Sequence, residues 1–167
     1  MALLILLLVI ICIFDYRQRR IPNVLLILLF STGVGWHALQ KEFEEMLFFI
    51  GEMLIVMLLM YPFFKIGCIG AGDVKLLGIC AGYLPVHKIL EFLFFSMLAA
   101  AVFSIIKLIK RHSTKERFYY LLSYLAAVFR SGRWQLYLED GKERSEAGIC
   151  LSGPILLSVI MHIGGIY

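Results

Sequence analysis

Six apolar stretches, roughly Ala2–Phe14, Val24–Leu39, Met46–Phe64, Ile66–Leu84, Ile89–Ile109 and Ala147–Ile166, divide this chain into blocks parted by charged connections. Blocks of that length leave few folds open. Backbone in hydrocarbon must satisfy every N–H and C=O internally, and a helix does so within one segment. Composition agrees: 61% of the 167 residues are hydrophobic, 17% are charged, and the mean hydropathy is +0.88. A soluble domain is about 45–50% apolar and 25% charged. The expected fold class is therefore an all-α integral membrane protein of about six transmembrane helices, one polytopic domain over residues 1–167. The lipid bilayer is its first partner. The net charge of +4 comes without a basic stripe interleaved with aromatics, so nucleic acid is not expected as a partner.

A spanning helix needs about 20 residues. The third, fifth and sixth stretches meet that directly. The first holds 13 residues, which at about 1.5 Å each cover only about 20 Å, so its helix should run on through Asp15 and Tyr16. No Lys or Arg precedes this stretch and no small-x-small site ends it, so it reads as a first transmembrane helix and not as a signal peptide. The fourth stretch is interrupted by Gly67, Gly70 and Gly72. Non-helical backbone at that depth is tolerated only when buried in protein or lining a cavity, which makes this turn the expected place of a site.

Charge orients the bundle. With the N-terminus outside, residues 15–23, 65–75 and 107–146 face the cytoplasm and carry 14 of the 16 basic residues, leaving Lys41 and Lys88 outside. The outer loop 40–45 holds Glu42, Glu44 and Glu45. This is the positive-inside distribution. Asp15 and Asp73 then lie on the same, cytoplasmic, side. An acid near hydrocarbon is costly without a partner or a water-filled cavity, so an intramembrane Asp marks function by default. Two on one side point to a proton-sharing pair, the arrangement used by aspartyl proteases.

The residues around each acid have their own logic. Pro22 disfavours helix at Ile21 and suits the first turn of a new helix, so Arg20-Ile21-Pro22-Asn23 makes a tight loop holding Asp15 near the mouth of helix two. Gly70 and Gly72 allow positive φ and close backbone approach beside Asp73. Lys75 reads as a cytoplasmic boundary charge, with a lipid-phosphate anchor as the alternative. Between the last two stretches, Phe118–Phe129 is flanked by Arg117 and Arg130 and reads as an interfacial helix, either a docked cover or a gate. The segment Trp134–Gly141 reads as a hairpin or turn with Asp140-Gly141 at its tip. Gly153-Pro154 is expected to kink helix six. Glu52 and Glu91 fall near outer helix ends, where snorkelling suffices. His37, His87, His112 and His162 have no metal-ligand spacing.

At this point the residues resemble the type IV prepilin peptidases, the GxGD aspartyl proteases that process pilin and pseudopilin precursors. Asp15-Tyr-Arg-Gln-Arg-Arg-Ile-Pro-Asn23 is similar to the family's first motif, and Gly70-Ala-Gly-Asp-Val-Lys-Leu76 to its second, GxGDxKL. The resemblance implies that Asp15 and Asp73 are the catalytic pair, with Gly70, Gly72, Lys75, Ile21, Pro22 and Asn23 forming the active-site loops. It implies a membrane-inserted precursor as partner, cut on the cytoplasmic side just before its hydrophobic helix. It also implies a bacterial or archaeal-type cytoplasmic membrane as location.

The chain departs from the larger members, whose N-terminal insertion carries two CxxC pairs that go with zinc and N-methylation. Cys12, Cys68, Cys80 and Cys150 are scattered and no CxxC exists, so the tetrahedral thiolate site has no ligands. No metal or cofactor is expected, and the activity expected is peptidase without methyltransferase. The compact form resembles the short peptidases of tight-adherence (Flp-type) pilus systems. Two other classes stand beside this reading: a proton-coupled transporter using the acids as relays, and a catalytically idle assembly factor of a pilus or secretion machine.

Overall fold

The computed structural model describes residues 2–40, 43–110 and 150–165, and every regular element among them is helical. In chain order these are α1 (Ala2–Gln18), α2 (Asn23–Gln40), α3 (Phe43–Lys65), α4 (Ala71–Gly82), a 3-10 turn (Val86–Lys88), α5 (Ile89–Lys110) and α6 (Ser152–Ile163). The proposed interfacial helix 118–130 and the turn at 134–141 lie outside the described residues.

α4 is the axis of the bundle. Each of its residues from Leu76 to Gly82 is buried. Its most extensive partner is α3, with α2, α5 and α6 around it. The reason is in the sequence Gly78-Ile79-Cys80-Ala81-Gly82: small residues four apart share one helix face and let another backbone approach. A Cβ added at Gly82 would stand 2.8 Å from the Phe49 carbonyl oxygen, and one at Gly78 would stand 3.0 Å from that of Met53. No side chain larger than hydrogen fits at Gly82 without moving α3. At the same end of α4, the Tyr83 hydroxyl donates to Leu29 O at 2.7 Å and meets Thr32 Oγ1 at 2.7 Å, tying α2 to α4. The Tyr83 ring stands edge-on to Phe49 with centroids 5.3 Å apart.

α6 closes the other side, packing on α5, α1 and α4. Ile155 and Val159 are buried in the core, and Ser158 Oγ donates to Phe92 O at 3.1 Å, joining α6 to α5. Helix one runs through Asp15 and Tyr16 as its length requires. It ends where Arg19 takes a positive φ of 50° while its N–H closes on Asp15 O at 2.8 Å. Pro22 stands just before α2 and not inside its first turn, its carbonyl accepting from Leu25 and Leu26 at 3.1 and 3.4 Å.

Among the described residues two helices are long and apolar enough to cross a membrane, Phe43–Lys65 and Val86–Lys107, consistent with a membrane protein. The fourth and sixth expected spans yield helices of 12 residues each, about 18 Å long. Residues 66–70 are non-helical because Gly67, at φ 84°, turns the chain after α3. Gly153-Pro154 does not kink helix six: Leu151 caps α6, so Pro154 falls in its first turn, where the missing N–H has no helical acceptor to lose. Glu52 is buried at 9% exposure on the core side of α3 instead of snorkelling from a lipid-facing surface, whereas Glu91, in the first turn of α5, pairs with Lys88 at 2.9 Å.

Candidate active site

Asp15 is carried near the C-terminal end of α1 and is buried at 5% exposure. Asp73 occupies the third position of α4 and is half-buried. Its carboxylate reaches back to the Gly70 backbone N–H, the carboxylate half of a capping box, and it gains from the positive end of the helix dipole. The two acids, 58 positions apart (73 − 15), come close enough for the Asp15 charge to act directly on Asp73. The sequence-derived pair is therefore a spatial pair.

The loops around them interlock. Gly70 has extended backbone, with φ −73° and ψ 151°, and Gly72 lies inside α4. Of the two uses expected of these glycines, positive φ is not made and close approach is. A Cβ at Gly70 would stand 2.9 Å from Asp73 Oδ2, and one at Gly72 would stand 3.2 Å from Ile21 Cβ. Ile21 thus covers Gly72, so the Ile21-Pro22-Asn23 segment sits directly on the turn that presents Asp73.

Asn23 and Lys75, both exposed, are brought together on another side of α4. They line a groove of about 460 Å³ between α2, α3 and α4 whose remaining walls are Leu26, Ile27, Phe30, Met53, Met57 and Ile79. The groove is apolar along its length with one cation and one amide among its lining side chains.

Sequence reasoning missed a residue hydrogen-bonded to the Asp15 side chain. Ser152, the first residue of α6 and 1% exposed, donates its hydroxyl to Asp15 Oδ2 at 2.5 Å. The Cys150 thiol donates to the Asp15 carbonyl oxygen at 3.6 Å, and it feels the charges of Asp15, Arg19, Lys107 and Asp73. One end of the bundle thus gathers the end of α1, the starts of α4 and α6 and the last turns of α5. No signal at residues 150–152 resembles either motif, and only the fold reveals their role. Among the described residues no group of three His, Cys, Asp or Glu side chains has metal-holding geometry.

Neither a comparison with curated proteins nor one with solved structures returned a match. A sequence profile of the type IV leader peptidase family matches residues 2–105, a region that holds both acids, both motif loops and helices α1 to α4. With that match over well more than half of its 167 residues, the chain belongs to the type IV leader peptidase family.

Proposed function

We propose that this chain is a membrane-embedded aspartyl endopeptidase of the GxGD type, which removes the short basic leader of prepilin-like precursors on the cytoplasmic side of the membrane. The observation that carries this reading is the seating of Ile21, in the first motif loop, on Gly72, in the second, which brings Asp15 within reach of the Asp73 charge. One carboxyl of the pair, protonated, polarises the scissile carbonyl. The other, ionised, takes a proton from the attacking water, which adds to the carbonyl carbon. The tetrahedral intermediate then collapses as the leaving amine receives a proton from the dyad. Like charges in one site do not both ionise cheaply, so the pair shares one proton.

The membrane arrangement belongs to the same proposal: six apolar segments, the N-terminus outside, and the basic loops with both acids in the cytoplasm, in keeping with the charge distribution. The groove beside Asn23 and Lys75 suits the apolar helix of a precursor, since its walls are aliphatic, aromatic and methionine side chains. Methylation of the new terminus is not part of the proposed activity, because the chain has no CxxC.

The test is a cleavage assay in proteoliposomes with a membrane-inserted test precursor, a short basic leader ahead of an apolar helix of about 20 residues. Mass spectrometry of the mature product should show leader loss and an unmodified α-amine. Methylation by this protein alone, in the presence of a methyl donor, contradicts the peptidase-only reading. Failure to cut any precursor of this design contradicts the peptidase reading itself.

A further inference from the structure

Asp15 and Ser152 are separated by 137 positions, yet a 2.5 Å hydrogen bond joins them in a site where both are almost fully enclosed. Ser152 lies far beyond the residues that match the family. A buried serine hydroxyl usually satisfies itself on a carbonyl of its own helix, as Ser96 does on Leu93 O at 3.0 Å. Ser152 is the first residue of α6 and bonds instead to a side chain of another helix. Its proton is directed out of its own helix and onto a carboxylate oxygen.

We infer that Ser152 is a positioning residue for the proteolytic reaction, whose hydroxyl fixes Asp15 Oδ2 and so holds the other oxygen of that carboxylate toward Asp73 and the attacking water. The inference rests on the aspartyl-peptidase reading and deepens it by bringing helix six into the site. Three features support it. The bond is at the short end of the range for a hydroxyl donor. The donor sits on the N-terminus of a helix that packs against both α1 and α4, so its position is set by core contacts of Ile155 and Val159 and not by a loop. Finally, a carboxylate held by one oxygen loses the rotation that would cost alignment, and misplacement by about 1 Å costs about 100-fold in rate.

The experiment compares Ser152→Ala, Ser152→Thr and Asp15→Asn in the full-length protein, purified in detergent, cutting the basic-leader test precursor. For Ser152→Ala the expected result is a fall of about tenfold in kcat with KM within about twofold. Ser152→Thr keeps the hydroxyl and is expected to retain at least about a third of the rate. Should the alanine variant accumulate poorly, Ser152→Cys, close in size and a weaker donor, is expected to show the same loss in kcat at unchanged KM to a lesser degree. An alanine variant with wild-type kcat overturns the inference. So do alanine and threonine variants that are equally slow, which marks a packing role. In either case an inactive Asp15→Asn leaves the peptidase reading standing, whereas an active one removes that reading and this inference with it.

Discussion

Ile21 lies over Gly72, so near that a Cβ at position 72 would come within 3.2 Å of Ile21 Cβ. This contact seats the loop after α1 on the first turn of α4, and it sets the distance between the chain segments that bear Asp15 and Asp73. A contact of 3.2 Å is tighter than ordinary packing but leaves room for small adjustment. Gly72→Ala is therefore expected to cut several-fold more slowly, and Gly72→Val to lose about 100-fold or more, since a displacement of about 1 Å suffices for that. Both variants should accumulate normally on immunoblots of membrane fractions. A Gly72→Val variant with wild-type turnover shows that the seating of Ile21 on Gly72 does not set the dyad.

Gly70 makes a separate prediction. The carboxylate of Asp73 folds back on the Gly70 N–H, and a methyl group at 70 would stand 2.9 Å from Asp73 Oδ2. Gly70→Ala must push the carboxylate off its backbone donor. Turnover should fall by at least about tenfold, the loss of one charge-assisted hydrogen bond, with KM for the test precursor little changed. Steady-state kinetics in detergent check this, and an unaltered kcat contradicts the capping-box geometry.

Away from the site, Gly82 sets the helix packing. With the Phe49 carbonyl oxygen 2.8 Å from an added Cβ, Gly82→Ala forces α3 and α4 apart. The cost should be about 1–3 kcal/mol, the usual penalty of overpacking, read as a lower midpoint of thermal unfolding in detergent. Gly35→Ala is the control, because an added Cβ there meets nothing within 4 Å. Equal midpoints for the two variants contradict the packing account.

Topology gives a fourth test. Single cysteines placed in residues 40–45 and 85–88 of a cysteine-free background should label from outside, and those in 111–146 only from the cytoplasm. Cytoplasmic labelling of 40–45 inverts the arrangement and puts both acids on the wrong side for leader removal.

How much of this was legible beforehand depended on how local each cause is. The run from Asp15 to Asn23 and the run from Gly70 to Leu76 each complete their chemistry within one helix end and one turn, so sequence exposed them. Asp73's cap on Gly70 is likewise a three-residue relation. Gly78 and Gly82 carried a readable signal, small residues at helical spacing, that went unused. Helix lengths were overestimated at the fourth and sixth stretches because hydropathy does not register where Gly67 turns the chain or where Leu151 caps α6. At Gly70 and Gly72 sequence leaves two uses open, positive φ and close approach, and only the neighbours show that space is the one needed. Glu52 was placed by its depth along α3, while its burial follows from the side of α3 that faces the core. Ser152 was illegible. Its partner is 137 positions away, and nothing in Leu151-Ser152-Gly153-Pro154 announces a carboxylate.

Whether Asp15 and Asp73 act as one proton-sharing unit is tested by leader removal by Asp15→Asn, Asp73→Asn and the double variant against Glu52→Gln and Glu91→Gln. An amide neither shuttles the proton nor carries the charge that activates water, so each single Asn variant should fall below about 1% of wild-type turnover. The double variant should be no worse than either single one, as for residues acting together. All three should accumulate to at least wild-type levels, because removing one of two like charges near hydrocarbon relieves a cost. The glutamine variants should stay within a few-fold of wild type. If Asp73→Asn still removes the leader while Glu91→Gln does not, the two-aspartate mechanism is wrong.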